Sequence, residues 1–309
     1  MTESIGTLGV LHVGDMGAAL SALLRVRGMR VVTTLNGRSE RTIARCRHAN
    51  IEVLDSLPDL VRVSDVVLSV VPPAAAEEIA EKYCDLSGRA PAGAIYVDMN
   101  SIGPELASSL AARFQLLGRR FVDATIHGQA AHLATEATLY LSGEPAGRLV
   151  ELFGDAMRIR VLGNNPGAAS MMKILLGALS KSMCAIFLEV ALLAGRRDVL
   201  TEFMRESSHF YPGIVGPVRR MLPTYPQHVG RRVTEMQAIE QTADNSSQRS
   251  CIVERVRELF EEFAKLRSAT LGPSDASSVE SLVEDMMGQG LLASSRSMKQ
   301  PRSATTAAQ

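Results

Sequence analysis

The chain has 309 residues, of which 46% are hydrophobic, and its 33 basic and 33 acidic side chains cancel to a formal net charge of zero. This length favours about two domains, and a balanced charge without a basic stripe argues against nucleic acid as a partner. The N-terminus has no cationic region before its first apolar stretch, so no secretory signal is expected. The apolar stretch 171–194 contains Lys173, Lys181 and Glu189, so no membrane span is expected. Four scattered cysteines predict reduced thiols in a cytoplasmic protein, with no metal site.

The first half of the chain alternates short β-rich runs with helical patterns. Helical patterns include 17–26 and 40–49, each beginning shortly after a β-rich run. The alternation predicts an α/β Rossmann domain with a mostly parallel, doubly wound sheet and right-handed crossovers. Strands are predicted, in chain order, at 8–13, 30–35, 51–53, 64–73, 94–98, 120–123, 138–142 and 159–162.

The second half of the chain has few strand signals. Residues 168–193 form one long apolar helical pattern, and the later patterns of 3.6-residue period are broken by prolines. The predicted organisation is a nucleotide-binding domain over 1–164, an all-α substrate and dimerisation domain over 165–290, and a small, polar, disordered tail over 291–309.

The residues after the first predicted strand are typical of a phosphate-binding turn. Gly14 and Gly17 stand at the second and third glycine positions of G-x-G-x-x-G, where the backbone approaches a pyrophosphate and the helix packs on the strand. His12 stands at the first position, which requires a tight bend. The helix that follows presents backbone N–H groups to phosphate. The predicted turn therefore consists of His12, Val13, Gly14, Asp15, Met16 and Gly17, and an ordinary strand–turn–helix is the alternative.

The residues after the second predicted strand bear on the choice of cofactor. An NAD site places an acid here to hold the ribose 2′-hydroxyl, but Asn36, Arg38 and Ser39 precede the first acid, Glu40. An arginine and a hydroxyl suit a 2′-phosphate, because guanidinium binds phosphate through paired donors. The segment favours NADP, with NAD possible; the alternative is that Arg38 is a solvated loop charge.

Six short motifs follow one another along the chain: 12–17, Asn36-Gly37-Arg38-Ser39, Val70-Val71-Pro72-Pro73, Asp98-Met99-Asn100-Ser101, 123–128 and 167–173. With these motifs in this order, the chain resembles the β-hydroxyacid dehydrogenase superfamily, which includes 6-phosphogluconate and 3-hydroxyisobutyrate dehydrogenases. It is most similar to a subgroup whose C-terminal helical domain has no known function. The resemblance extends to about residue 290 and implies a homodimer, cofactor contacts at Val71, Pro72 and Asn100, and substrate contacts at Ser101 and Gly128.

The resemblance also identifies Lys173 as the catalytic residue, because it ends the family's catalytic-lysine motif. In carbonyl reduction an ammonium stabilises the developing charge on oxygen and delivers the proton; in oxidation the neutral amine accepts the hydroxyl proton. From the helical pattern alone, the favoured interpretation is that Lys173 lies along the helix and its ammonium group is exposed to solvent. Lys181, two turns further on, shares roughly the same helix face. It either lines the site or, as is expected, extends its ammonium group into solvent.

Two departures from the family fall on the substrate side. Gly177 stands where other members have an asparagine, and His127 stands where they have a serine that binds a substrate carboxylate. The substrate is therefore expected not to be a plain small 3-hydroxy acid. His127 either contacts the substrate or is an ordinary loop histidine.

The sequence thus predicts an NAD(P)-dependent oxidoreductase that interconverts a hydroxyl and a carbonyl on an anionic small molecule. An imine reductase of the same superfamily is one alternative, although such enzymes usually carry Asp or Tyr at the position of Lys173. A catalytically inactive NADP-binding regulator is the other. A basic, aromatic segment either lines the active site or forms a solvated helix face; it comprises Tyr211, Arg219, Arg220, Tyr225, His228, Arg231 and Arg232.

Overall fold

The structure, a computed structural model, describes residues 5–270 and 276–292. It divides into two compact units, Met1–Leu175 and Leu176–Gln309. The predicted tail lies outside the described residues from position 293 onward. Leu291, the first residue of the predicted tail, is fully buried.

The first unit is built on one eight-stranded sheet with the order β3-β2-β1-β4-β5-β6-β7-β8. All neighbouring pairs are parallel except β6 and β7, which are antiparallel. The predicted mostly parallel sheet is therefore confirmed. The strands are β1 Thr7–Leu11, β2 Arg30–Thr34, β3 Glu52–Leu54, β4 Val66–Ser69, β5 Ile95–Asp98, β6 Arg120–His127, β7 Thr138–Ser142 and β8 Arg158–Val161.

Most strands begin or end one or two residues from their predicted bounds, and two end four residues from them. The fourth strand is predicted over 64–73 but is observed only over Val66–Ser69, before Pro72 and Pro73, which have no backbone N–H to donate to a neighbouring strand. The sequence predicts that the sixth strand ends at Asp123, but β6 continues to His127. The reason is its antiparallel partner, because the register from Asp123↔Ser142 to His127↔Thr138 supplies a hydrogen-bonding neighbour along the whole extension.

Helices cover both faces of this sheet. Val66 and Leu68 pack into one hydrophobic cluster, while Val67 between them packs into another, as expected for alternating side chains of a strand buried on both sides. The helices of this unit are α1 Asp15–Val26, α2 Glu40–His48, α3 Leu57–Val63, α4 Ala76–Leu86, α5 Pro104–Leu116 and α6 Ala146–Phe153.

Helix α7, Ala168–Arg196, begins in the first unit and continues into the second. Among the described helices it alone meets the length and hydropathy of a membrane span, with a mean hydropathy of 1.8, a criterion that core helices also meet. The rest of the second unit is helical, with a core that includes Leu188, Phe260, Phe263 and Met286. Its helices are α8 Leu200–Phe210, α9 Pro212–Met221, α10 Tyr225–Asn245, α11 Cys251–Thr270 and α12 Val279–Gly288.

Candidate cofactor and active site

The turn after β1 lies where the strand order reverses. In open α/β sheets, ligands bind outside the carboxyl ends of the strands at this switch point, which here falls between β1 and β4. His12 makes the bend with a φ of +72°, a left-handed conformation that histidine tolerates better than most side chains. Gly14 then caps the N-terminus of α1 with extended backbone.

Gly17 lets α1 pack closely on this turn. A Cβ atom at Gly17 would lie 2.5 Å from the backbone oxygen of His12. No side chain fits at that distance, so glycine is required for the helix to start where it does. Asp15, between these residues, is exposed and pairs with Arg45 of α2.

The imidazole of His12 lies in the field of two basic side chains, Arg38 of the loop after β2 and Arg45 of α2. Burial lowers the pKa of His12, and the charges of Arg38 and Arg45 lower it further. The ring is therefore neutral at neutral pH. Its Nδ1 atom is buried and has no hydrogen-bond partner among the described residues, and the same holds for Nε of Arg38.

The other residues of this loop have local structural roles. Nδ2 of Asn36 donates to the backbone oxygen of Asp55 at 2.7 Å. Ser39 is the N-cap of α2, and its Oγ accepts from the backbone N–H of Thr42 at 3.4 Å. Arg38 differs from both, because its Nε has no hydrogen-bond partner among the described residues.

Asn100 is held rigidly at the carboxyl ends of β4 and β5. Its Nδ2 donates to Oδ2 of Asp98 and to Oγ of Ser69, both at 3.0 Å, and its backbone N–H donates to Oδ1 of Asp98 at 2.9 Å. Burial raises the pKa of Asp98 to about 6; the hydrogen bonds from Asn100 oppose that rise and the charge of Asp123 adds to it. Oδ1 of Asn100 is buried without a partner among the described residues.

The side chain of Asp123 fixes the start of α7. Its Oδ2 accepts from the backbone N–H groups of Gly167 and Ser170, at 2.9 and 3.0 Å, and from Oγ of Ser142 at 2.9 Å. Oγ of Ser170 donates to Oδ1 of Asp123 at 2.6 Å. A buried carboxylate thus satisfies backbone donors that a helix N-terminus would otherwise leave unpaired.

Lys173, one turn into α7, meets Ser101 of the loop after β5. Its Nζ donates to Oγ of Ser101 at 2.6 Å. Within the first unit the structure therefore brings together two residues from motifs far apart in the chain. Ser101 follows Asn100 directly, so the lysine head lies beside the rigid end of β5.

Sequence reasoning did not assign Asp123 and Ser142 to the site. Each is a fully buried polar residue of its strand. A buried aspartate needs several hydrogen-bond donors around it. The aspartate inside the strand sequence RFVDATI could therefore have indicated that Asp123 anchors another part of the chain.

His127 and Gly128 lie where β6 ends. His127 is exposed and faces Thr138 in the strand register. Gly128 has a φ of +143°, and a Cβ atom there would lie 2.6 Å from Cβ of Ala137. Glycine is therefore required at position 128, because Ala137 lies too close to leave room for a side chain. Val71, two residues beyond the end of β4, is buried, and Pro72 is exposed.

Gly177 lies in the second unit, and its neighbour there is Lys181. A Cβ atom at Gly177 would lie 3.0 Å from Nζ of Lys181, which donates to the backbone oxygen of Gly177 at 3.3 Å. The prediction that Lys181 has a solvated head is wrong, because the residue is only 8% exposed and its ammonium pairs with Glu235.

The basic, aromatic segment is not one continuous surface. Tyr225 is buried and packs edge-on against Phe260 with ring centroids 5.4 Å apart. Arg219 pairs with Glu280 of α12, whereas Arg231 and Arg232 pair with Glu235. Tyr211 is exposed at the end of α8.

Comparison with known proteins identifies a nucleotide-binding domain in the first unit. Residues 5–149 match the model of the NAD-binding domain of 6-phosphogluconate dehydrogenase. An uncharacterized 28.5 kDa protein of Methanothermus fervidus is 30% identical over 197 residues, which cover 64% of this chain and 74% of that protein. The chain therefore belongs to the family whose NAD-binding domain is that of 6-phosphogluconate dehydrogenase.

Solved structures share the fold along most of the chain. The conserved protein MTH1747, of unknown function and structurally similar to 3-hydroxyacid dehydrogenases, is 26% identical with a TM-score of 0.68, over 85% of this chain and 100% of that one. The 3-hydroxyisobutyrate dehydrogenase of Mycobacterium tuberculosis has a TM-score of 0.72 at 17% identity, over 92% and 99% of the two chains. An imine reductase of Myxococcus stipitatus shares the fold with a TM-score of 0.57 at 17% identity, over 92% and 100%.

Proposed function

We propose that this protein is an NADP-dependent oxidoreductase that interconverts a hydroxyl and a carbonyl on an anionic small molecule, with Lys173 as general acid and base. The observation that carries the proposal is the 2.6 Å hydrogen bond from Nζ of Lys173 to Oγ of Ser101. It orients the lysine head beside Asn100, at the sheet edge where α/β folds bind their ligands.

The turn after β1 suits a dinucleotide. The bend at His12, the backbone cap at Gly14 and the close packing at Gly17 leave backbone N–H groups of α1 available to phosphate. The partnerless Nδ1 of His12 and Nε of Arg38 are two further polar groups with unused capacity. Val71, Pro72 and Asn100 would border the cofactor at the ends of β4 and β5. When bound, the cofactor supplies the hydride chemistry.

Arg38 favours NADP over NAD. A guanidinium offers paired donors to a 2′-phosphate, and no acid follows β2 before Glu40 to hold a ribose hydroxyl. Ser39 is engaged as the cap of α2, so in this proposal the selectivity rests chiefly on Arg38.

Lys173 would move the proton at the substrate oxygen. As an ammonium it donates to the carbonyl oxygen when that oxygen gains charge during reduction, and as an amine it accepts the hydroxyl proton during oxidation. Ser101 holds the lysine head in place and offers its own hydroxyl to the substrate. Asp123 acts as a positioning residue, because it fixes the first turn of the helix that carries Lys173. His127 and Gly128, at the end of β6, are the proposed substrate-binding positions of the first unit.

Two alternatives, an imine reductase and a regulator without catalytic activity, predict different assay results from the proposed carbonyl chemistry. The shared fold supports an imine reductase, but a lysine at position 173 favours carbonyl chemistry. A regulator that binds cofactor without turnover would account for the glycine at position 177. Wild-type protein assayed with NADPH against a broad panel of carbonyls and imines, read at the NADPH absorbance band, separates the three. Carbonyl reduction supports the proposal, turnover of imines alone supports the first alternative, and binding without oxidation supports the second.

The proposal includes a cytoplasmic homodimer. An apolar groove of α7, α8 and α9 in the second unit is lined by the exposed side chains of Ile186, Val190, Phe210 and Ile214. Contiguous apolar patches of this kind mark interfaces between proteins. Sedimentation of wild type and Ile186→Glu tests this, with a dimer expected for the first and a monomer for the second. A monomeric wild type would contradict it.

A further inference from the structure

The buried acid Asp98 holds the side-chain amide of Asn100 in one orientation. Nδ2 of Asn100 donates to Oδ2 of Asp98 and to Oγ of Ser69, both at 3.0 Å, so both hydrogens of the amide nitrogen are used. Oδ1, the other end of the same amide, is buried and accepts no hydrogen bond from the described residues. The orientation of the amide therefore decides which of its two polar atoms is left for a ligand.

The ionised form of Asp98 dictates this orientation. A carboxylate only accepts hydrogen bonds, so the nitrogen of the Asn100 amide has to face it and the oxygen cannot. The other carboxylate oxygen, Oδ1 of Asp98, accepts from the backbone N–H of Asn100 at 2.9 Å. Both oxygens of Asp98 therefore meet donors, and a proton placed on Oδ2 would face the amide nitrogen, which is itself a donor.

Rotation of the Asn100 amide by about 180° removes that clash of donors, because it exchanges the positions of its oxygen and nitrogen. The amide oxygen then accepts from the protonated Asp98 and from the Ser69 hydroxyl, which can donate as well as accept. The amide nitrogen takes the position that the oxygen held. Protonation of Asp98 thus changes the unpaired group of Asn100 from an acceptor to a donor.

The carboxyl group of Asp98 changes its charge close to neutral pH. Burial raises its pKa to about 6; the hydrogen bonds from Asn100 oppose the rise, and the charge of Asp123, its register neighbour on β6, adds to it. On β5, burial and then the charge of Asp98 raise the pKa of Tyr96 well above its usual value, so the phenol stays protonated. On β4, Ser69 contributes a hydroxyl that carries no charge.

A buried acceptor without a donor costs free energy, and a ligand that supplies the donor offsets that cost. Asn100 lies at the carboxyl ends of β4 and β5, where the proposed function places the cofactor, and this inference rests on that proposal. We infer that Asp98 is a positioning residue that sets whether Asn100 accepts a hydrogen bond from the cofactor. Ionised Asp98 presents the amide oxygen to an N–H or O–H donor of the nucleotide, and protonated Asp98 presents the amide nitrogen.

Calorimetric titration of the full chain with NADP⁺ between about pH 5 and about pH 8 tests the effect on the cofactor. Asp98→Asn mimics the protonated acid, because its amide nitrogen donates to the Asn100 oxygen at every pH. Wild type should bind about tenfold more tightly than this variant at the upper pH, the effect of one hydrogen bond, and within about twofold of it at the lower pH. The ratio of the two affinities is the quantity to compare, because protonation of the NADP⁺ phosphate affects both proteins alike.

The side-chain ¹⁵N NMR signal of Asn100 tests the rotation of the amide in the ligand-free protein. The signal is assigned by its absence from Asn100→Ala. In wild type it should shift with pH around a midpoint of about 6 and reach, at acid pH, the position that Asp98→Asn shows throughout. Asp155→Asn is the matched control, because that carboxylate is 97% exposed, and it should keep both the wild-type titration and the wild-type affinity for NADP⁺.

The two measurements separate failure of this inference from failure of the proposed function. An affinity ratio between wild type and Asp98→Asn that stays constant with pH overturns the inference while the cofactor assignment stands. An Asn100 signal that does not titrate in wild type overturns it as well. Wild type that binds no NADP⁺ at any pH refutes the proposed cofactor, and the role of Asp98 towards that cofactor falls with it.

Discussion

The carboxylate of Asp123 offers a sharp test of how the start of α7 is held. Its two oxygens accept hydrogen bonds from the backbone N–H groups of Gly167 and Ser170 and from the hydroxyls of Ser142 and Ser170. Asp123→Ala removes the acceptor for all of them inside a fully buried site. The hydroxyls can turn towards other acceptors, whereas the two backbone donors are fixed by the helix.

The magnitude follows from those two fixed donors. Each buried donor left without an acceptor costs about 1–3 kcal/mol, so Asp123→Ala should lower the free energy of unfolding by roughly 3–5 kcal/mol. Asp123→Asn keeps one oxygen for Gly167, Ser170 and Ser142. Its amide nitrogen can donate to the Ser170 hydroxyl, which then acts as the acceptor. That variant should lose only about 1–2 kcal/mol, mainly the benefit of charge.

Urea unfolding followed by circular dichroism measures both variants, since the chain has no tryptophan to report fluorescence. Asp155→Ala is the control, because that carboxylate is 97% exposed in its pair with Arg27, and no measurable change is expected. A cost below about 1 kcal/mol for Asp123→Ala, or an equal cost for alanine and asparagine, would refute the argument from unsatisfied donors.

Three further predictions concern the cofactor side of the site. Gly17→Ala should lower the free energy of unfolding by about 1–3 kcal/mol, because the new Cβ atom would lie 2.5 Å from the backbone oxygen of His12. Gly147→Ala is the control, because a Cβ atom there would meet open space. In the same urea titration it should be neutral or stabilising by up to about 1 kcal/mol. Burial raises the pKa of Asp98 from 3.8 to about 6, so its contribution to stability is complete below pH 3.8 and is lost as the pH rises through 6. The stability of wild type relative to Asp98→Asn, measured across that range, should therefore fall by up to roughly 3 kcal/mol. Arg38→Gln should weaken NADPH binding about tenfold and leave NADH binding unchanged in calorimetric titrations.

Each of these has a contradicting outcome. Equal effects of Gly17→Ala and Gly147→Ala would show that the close approach to the His12 oxygen is not limiting. A stability difference between wild type and Asp98→Asn that does not vary with pH would show that Asp98 does not titrate as its burial requires. Wild type that binds NADPH and NADH equally well would remove the basis for assigning the 2′-phosphate to Arg38.

The sheet was predictable because its signals are local. Continuous apolar runs such as 64–73 indicate strands buried on both faces, and the helices between them imply parallel pairing. The antiparallel arrangement of β6 and β7 was not predictable from these patterns, since a strand has the same alternation in either direction. The extension of β6 to His127 depends on that pairing and was missed for the same reason.

The sequence pattern alone predicts only those parts of the candidate site whose residues lie close together in the chain. The bend at His12 and the packing at Gly17 follow from the spacing of one turn. The contact between Lys173 and Ser101 required the family resemblance, because the two lie in separate motifs. The anchoring of α7 by Asp123 and the burial of Lys181 beside Glu235 depend on contacts between distant parts of the chain, which periodicity does not encode.

The most direct test of the proposed function is the turnover of Lys173→Ala on a carbonyl substrate found with wild type, measured alongside its NADPH affinity. The account predicts that turnover falls by at least about 100-fold, the scale of a lost general acid, while the dissociation constant for NADPH changes less than about twofold. Ser101→Ala, which leaves the lysine in place but removes its hydrogen-bond partner, should give a smaller loss of turnover. Unchanged turnover in Lys173→Ala would contradict the assignment of Lys173 as the acid and base.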